Sequence, residues 1–272
     1  MTQPPIVTLL TDFGVTDGYV GVMKGVILQI TPQARLVDIT HDLPPYSIAG
    51  ASFLMEWAYG YFPAGTIHLC VVDPGVGTRR RVLILETQGH FFVAPDNGLL
   101  TPFLQSKDEK KIISADNRLF WLDKISNTFH GRDIFSPLAA HLARGIPPTD
   151  MGEEIRDPVL LPQEPLTITP HYIECRIRYI DRFGNLVTNL SRTAYEQWAA
   201  KKRYTREETV ISWPITRIQG ISQTYGDKNR GELVAVFDGF DHLEIAVCGG
   251  NAAALTGLNI GEPITVGVLI AR

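Results

Sequence analysis

Ile6-Val7-Thr8-Leu9-Leu10-Thr11-Asp12-Phe13-Gly14 is the stretch that decides the fold. An apolar run long enough for one buried strand stops at an aspartate, and a glycine follows at once. The pattern returns at residues 66–73, which end Val71-Val72-Asp73 and run into Pro74-Gly75-Val76-Gly77. Between the two runs, residues 18–31 carry Val22, Val26 and Ile30 at helical spacing, with Pro32 as a stop. Residues 34–40 read as a second strand. Residues 47–62 read as a second helix, with Ala49, Phe53, Trp57 and Tyr61 on one stripe. Strand, helix, strand, helix, strand implies parallel pairing through right-handed crossovers. Residues 82–86 and 90–94 extend the sheet as shorter strands, and 135–144 form another helix stopped by Gly145. The expectation is a Rossmann-like α/β domain with a mostly parallel sheet over residues 1–160. In such a sheet ligands collect outside the carboxyl ends of the strands, where Asp12 and Asp73 stand.

The character changes after that. Residues 157–170 contain four prolines and neither a helical nor a strand period, so 161–170 are expected to be a linker. Residues 171–272 are short β-rich runs at 172–180, 186–190, 208–213, 232–237, 243–247 and 263–270, with one helix at 193–203. This pattern predicts a smaller antiparallel β-barrel.

Apolar residues make up 44% and charged residues 20% of the chain, an ordinary globular balance, and the net charge of −4 leaves no basic footprint for nucleic acid or anionic lipid. Arg79-Arg80-Arg81 is short and adjoins a glycine loop. Cys70, Cys175 and Cys248 are far apart without metal spacing, and the apolar runs around Cys70 and Cys248 read as buried thiols. The N-terminal apolar run has only strand length, which predicts no signal peptide, and no segment has the ~20 apolar residues of a membrane span. The expected location is cytoplasmic.

Five loops carry polar groups suited to chemistry. Asp12 and Asp17 flank a turn that begins at Gly14; a carboxylate there can accept both hydroxyls of a vicinal diol, though Asp17 also reads as a helix cap. Asp73 and Arg80 are placed to pair across the glycine loop at 73–81. Ala94-Pro95-Asp96-Asn97-Gly98 reads as a turn. Thr128-Phe129-His130-Gly131-Arg132-Asp133 sets a histidine at a helix start, as a proton-transfer or a structural group. Asp181-Arg182-Phe183-Gly184-Asn185 offers an acid, an aromatic and an amide, in what is also a hairpin-turn sequence. Neither GxGxxG nor GxxxxGK[ST] occurs, which disfavours a dinucleotide or a nucleoside triphosphate.

Taken in order, TDFG-x-x-DGYVG-x-MKG, VVDPGVG, APDNG, TFHGRD, FGN-x-x-TN and GGNAA span nearly the whole chain. The chain resembles the S-adenosyl-L-methionine (SAM) hydrolases, or hydroxide adenosyltransferases, relatives of the fluorinating and chlorinating adenosyl enzymes. The resemblance implies hydrolysis of SAM by water attacking ribose C5′, giving adenosine and L-methionine, with no metal and no cofactor beyond the substrate. It also implies a homotrimer with sites between subunits, and no nucleic-acid or membrane partner. Carried over by motif, Asp73, Arg80 and His130 form the set at the nucleophilic water, with Arg81 a competing match for the arginine. Asp12 matches the ribose-diol carboxylate. Asp17, Tyr19 and Gly131 fall near ribose and methionine. Asp181 matches the partner of the methionine amino group, Phe183, Asn185 and Tyr225 the adenine contacts, and Asn251-Ala252 a reader of the adenine edge. The segment Asp238-Gly239-Phe240-Asp241-His242-Leu243 departs from the family pattern around the methionine carboxylate. A carboxylate at Asp73 would repel a halide, and the short 81–94 segment lacks the insertion of fluorinating members, so water is favoured. The alternatives are a halide transferase of the same fold and a non-catalytic SAM or adenosine sensor. A metal phosphohydrolase using Asp12, Asp73, His130 and Asp133 lies further off.

Overall fold

The first apolar run forms β1 (Ile6–Thr11), an interior strand next to one edge of a sheet covered on both faces. The computed structural model describes residues 3–162 and 164–268. After β1 come α1 (Tyr19–Ile30), β2 (Arg35–Thr40), α2 (Ile48–Ala58), β3 (Ile67–Val71), β4 (Val82–Thr87) and β5 (His90–Pro95). They are followed by α3 (Thr101–Gln105), β6 (Lys110–Ser114), α4 (Ser136–Ala143) and β7 (Glu153–Glu154). The strand order is β2-β1-β3-β5-β4-β6-β7. Side-chain alternation explains the double covering. Val7, Leu9, Ile67 and Leu69 face Met23, Ile27 and Leu138 from α1 and α4, while Leu10, Cys70, Leu83 and Leu85 face Ala51, Met55 and Phe103 from α2 and α3.

One expectation is corrected here. The sheet is mixed, not mostly parallel: β2, β1, β3 and β5 pair in parallel, whereas β4 runs antiparallel to β5 and β6, and β7 antiparallel to β6. The cause is local. Gln88 and Gly89 alone separate β4 from β5, both at positive φ (51° and 76°), the conformation of a tight hairpin, and a two-residue link joins only antiparallel strands. The helix expected at 47–62 also ends early, at Ala58, and continues as a 3₁₀ turn over Tyr59–Tyr61.

By contacts the chain divides into two compact units, Met1–Pro162 and Gln163–Arg272. The second contains β8 (Thr167–Ile168), β9 (Tyr172–Ile180), β10 (Leu186–Ser191), α5 (Arg192–Lys202), β11 (Thr209–Trp213), β12 (Thr216–Gln219), β13 (Leu233–Phe237), β14 (His242–Val247), α6 (Ala252–Thr256) and β15 (Pro263–Val268). The sheet order is β12-β11-β15-β9-β10-β14-β13, all antiparallel, with β8 added beside β9. β8 thus lies inside the segment expected to be an unstructured linker. The end strands come close enough that Ser222 N, just after β12, donates to Ala235 O of β13 at 2.8 Å, so the sheet is nearly barrel-shaped. Its interior is filled by Ile173, Cys175, Ile177, Leu243, Ile245 and Ile264 with Tyr195 and Trp198 of α5. Gln163 of the expected linker, and residues 269–270 of the strand expected at 263–270, lie outside the described residues. Cys70 is buried, but Cys248 is only partly so, and Cys175 is the second buried thiol. Among the described residues, no helix is long and apolar enough to cross a membrane.

Candidate active site

The carboxyl ends of β1 and β3 bring Asp12 and Asp73 to the same edge of the first sheet, because the two strands are adjacent and in parallel register. Asp73 is held by Arg80 at the far end of the glycine loop: Arg80 Nε lies 2.9 and 3.0 Å from the two carboxylate oxygens, and Nη2 also reaches Oδ2. Both side chains are almost enclosed, and the guanidinium sits 5.0 Å over the Phe135 ring, a favourable place for a delocalised cation. Gly77 permits the loop: it has φ +78°, and a Cβ there would stand 2.3 Å from the Asn127 carbonyl oxygen.

His130 completes the group. Its Nδ1 lies 2.9 Å from Arg80 Nη2. Arginine only donates, so Nδ1 is the acceptor and the ring proton sits on Nε2. Burial and the Arg80 charge hold the imidazole below its ordinary pKa, outweighing Asp73, Asp133 and the Ser126 backbone. His130 is therefore neutral near pH 7, with its basic lone pair occupied by Arg80. The helix expected at 135–144 is α4, and it is preceded by a π-helical turn, Gly131–Phe135. That wider turn carries Gly131 against the Met23 sulfur and the Phe13 and Phe129 rings, where a Cβ would find neighbours at 3.2, 3.3 and 3.4 Å.

Two arginines that the sequence leaves as competitors have separate partners. Arg81 Nε donates to buried Asp96 at 2.7 Å, and its Nη1 and Nη2 reach the Asp157 carboxylate and carbonyl. Arg81 is thus spent on joining loops, and Arg80 is the arginine beside Asp73 and His130. The Ala94–Gly98 turn is likewise internal: Asn97 Nδ2 donates to Val72 O at 2.9 Å, and Asp96 Oδ1 accepts from Val159 N. Asp133, fully buried, accepts from Arg132 and from Ser126 N.

Asp12 Oδ2 accepts from Tyr46 N at 2.7 Å. Tyr46 has φ +67°, a conformation that non-glycine residues adopt rarely. Tyr19 packs edge-on to Phe13 and Phe129, with ring centroids 6.0 and 5.1 Å away, and Asp17 is exposed.

In the second unit Asp181 organises the 181–185 turn. Its Oδ1 accepts from Phe183 N and Asn185 N, and its Oδ2 from Asn185 Nδ2. The turn thrusts the Phe183 ring outward, 73% exposed. Gly184 has φ +82°, and the Asn251 amide lies where its Cβ would be. Asn251 Oδ1 caps α6 by accepting from Ala254 N, while Ala253 N donates to Gly184 O. The 181–185 turn, Asn251 and Ala252 therefore form one patch. Tyr225 stands on a 3₁₀ turn, partly exposed. The 238–243 segment is the β13–β14 hairpin, tied by Asp238 Oδ1 accepting from Phe240 N and His242 N.

One residue of this unit escapes a sequence reading. Glu244 lies on β14 yet is only 3% exposed, and its Oε1 has no hydrogen-bond partner. Burial raises its carboxyl to a pKa of about 7; the Tyr225 hydroxyl bonded to it pulls the other way, and nearby Asp181 and Asp238 add to the rise. Among the described residues, no three His, Cys, Asp or Glu side chains converge as a metal ion would need.

Residues 7–152 match the SAM hydroxide adenosyltransferase N-terminal domain, and residues 175–265 match the C-terminal domain. A protein of Salinispora tropica named (R)-S-adenosyl-L-methionine hydrolase is 34% identical over 269 residues, 98% of this chain and 99% of that one. A fluorinase of Actinoplanes is 27% identical over 96% of this chain and 97% of its own. The crystal structure of an uncharacterized conserved protein from Thermotoga maritima superposes with a TM-score of 0.89 at 33% identity, covering 96% of this chain and 99% of that one.

Proposed function

The chain belongs to the SAM hydroxide adenosyltransferase family, and from that premise we propose that it hydrolyses S-adenosyl-L-methionine to adenosine and L-methionine. The hydrolase relative is named for the R form. Because "L" already fixes the α-carbon, the descriptor belongs to the sulfonium, and we take the R sulfonium as the substrate here. The observation that carries the reading is the Asp73–Arg80–His130 group at the strand edge. A sulfonium departs as a neutral thioether, so the protein has only to hold the ribose and align a water in line with the C5′–S bond. In this proposal Asp73 is the acceptor that aims the water. Arg80 fixes Asp73 and tempers the developing negative charge, and His130 fixes Arg80. Free hydroxide is not required. Deprotonating water, with a pKa of ~15.7, fully by an imidazole of ~6.5 would cost roughly 12 kcal/mol, so proton loss accompanies or follows C–O bond formation.

The remaining assignments are parts of the same proposal. Asp12 takes the diol, and Asp17, Tyr19 and Gly131 line the ribose and methionine region. Asp181 meets the amino group, and Phe183, Asn185, Tyr225, Asn251 and Ala252 hold adenine. The four parallel strands act as a Rossmann-like half that presents Asp12 and Asp73, and the second unit as a barrel that presents the adenine patch. A cytoplasmic setting suits three free cysteines.

The product test is direct. Pure protein should convert (R)-SAM far faster than the S epimer, with or without EDTA, and in ¹⁸O-water the label should enter the 5′-hydroxyl of adenosine. Unlabelled adenosine excludes attack at C5′, loss of activity with chelator restores the metal reading, and 5′-chloroadenosine formed in chloride restores the halide reading.

We further propose a homotrimer whose sites combine the first unit of one chain with the second unit of the next. The exposed Phe183 ring supports it, since a base-stacking aromatic is better covered than bare. Asp12→Ala and Asn185→Ala proteins, assayed at a substrate concentration too low for either alone to turn over appreciably, should recover about one quarter of wild-type activity when refolded together in equal amounts, the random-mixing fraction for a closed ring. Mixed trimers without activity would mean that each site is built within one chain.

A further inference from the structure

We propose that Glu244 is a specificity-determining residue of this site: with Asp181 it takes the α-ammonium of the substrate's amino-acid arm, and it releases its own proton to solvent as that cation arrives. The inference rests on the adenosyl reading above and adds to it a residue and a linkage. Asp181 and Asp238 stand within electrostatic range of Glu244 and of the Tyr225 hydroxyl bonded to it. They come from different elements: Asp181 from the turn before β10, Asp238 from the turn after β13, Glu244 from β14, and Tyr225 from its 3₁₀ turn. Asp181 and Asp238 each accept two backbone N–H hydrogen bonds. Glu244 Oε1 accepts none. It is on the strand face opposite the barrel core, level with Val187 and Val236 of the flanking strands, and both of those are buried.

A buried carboxylate oxygen without a donor, next to two other acids, is unfavourable as an anion. Either a proton or a cation offsets the charge. In the empty site the proton does so, in keeping with a carboxyl pKa raised to about 7. A primary ammonium supplies both a positive charge and donors for Oε1, so it displaces the proton: Glu–COOH gives Glu–COO⁻ and H⁺ leaves. Adenosine has no such group. The site thus favours the substrate over the nucleoside product by charge, and the preference strengthens as pH rises through 7.

S-adenosyl-L-homocysteine is the probe, because it keeps the ammonium arm and its thiolate leaving group resists this hydrolysis. Titration calorimetry in buffers of different ionisation enthalpy counts the protons released. At pH 6.5 a carboxyl of pKa about 7 is roughly three-quarters protonated, so release on binding should approach that value, decline as pH rises above 7, turn to uptake where the ligand's own amine loses its proton, and be absent with adenosine. Glu244→Gln should abolish the release and weaken the thioether about 10-fold or more, with adenosine changed less than about 3-fold. Tyr225→Phe removes the bond that lowers the Glu244 pKa, so the release midpoint should move to higher pH. Equal release with adenosine, or undiminished release from Glu244→Gln, overturns the assignment of Glu244 alone. If wild-type protein binds neither ligand, the adenosyl reading itself falls, and this one with it.

Discussion

Replacing Asp73 with asparagine should lower kcat for the sulfonium substrate by about 10²-fold or more, with Kd within a few-fold of wild type. Asparagine keeps the size and one acceptor oxygen but removes the charge. Two consequences follow from the geometry. The water loses the anion that accepts its proton side, and Arg80, enclosed beside Phe135, loses its bidentate partner. His130→Ala should act in the same direction, since it strips Arg80 of the acceptor on Nη2. Product formation in a single turnover, set against equilibrium binding of the thioether analogue, separates the effects. Near-normal kcat with failed binding would assign Asp73 to substrate capture instead. A thermal melt belongs beside the kinetics, because an unpaired buried guanidinium is destabilising.

Asp12→Ala should weaken the thioether and adenosine alike, by ~10- to 100-fold, the range for lost charge-assisted hydrogen bonds. Tyr46 N holds Oδ2 in place, so under the proposed assignment the carboxylate is fixed before ligand arrives and Oδ1 takes the diol. Asp12→Asn, which still accepts from Tyr46, should fall between wild type and alanine. A 2′,3′-dideoxy analogue should bind wild type poorly and lose little more in the variant. If the dideoxy and ribose ligands lose equally, Asp12 does not hold the diol.

Much of this was legible in the residues, for identifiable reasons. Asp12 and Asp73 end apolar runs, and adjacent parallel strands must bring such ends together. The hairpin that makes the first sheet mixed was also written plainly, as Gln88-Gly89 between two apolar runs, but the alternation with helices earlier in the chain suggests parallel pairing throughout. Arg80 and Arg81 are indistinguishable in one dimension; only their partners on other loops, Asp73 and Asp96, separate them. Glu244 is hidden by the opposite logic. An acid between Leu243 and Ile245 reads as the solvent side of a strand, and here that side is covered. Asp133 looked like a candidate ligand because it follows His130 closely, yet Arg132 and Ser126 occupy it.

The neighbouring arginines carry a consequence for how this protein can change over time. One guanidinium joins Asp73 and His130 and the next rivets two loops through Asp96 and Asp157. Loss of Thr78 alone would shorten the step from Gly77 to the arginines while leaving all three guanidinium charges in place. The interval itself is therefore heritable information. Drift in this loop is free to alter what it is made of more readily than how long it is, and relatives that preserve the chemistry should preserve the count.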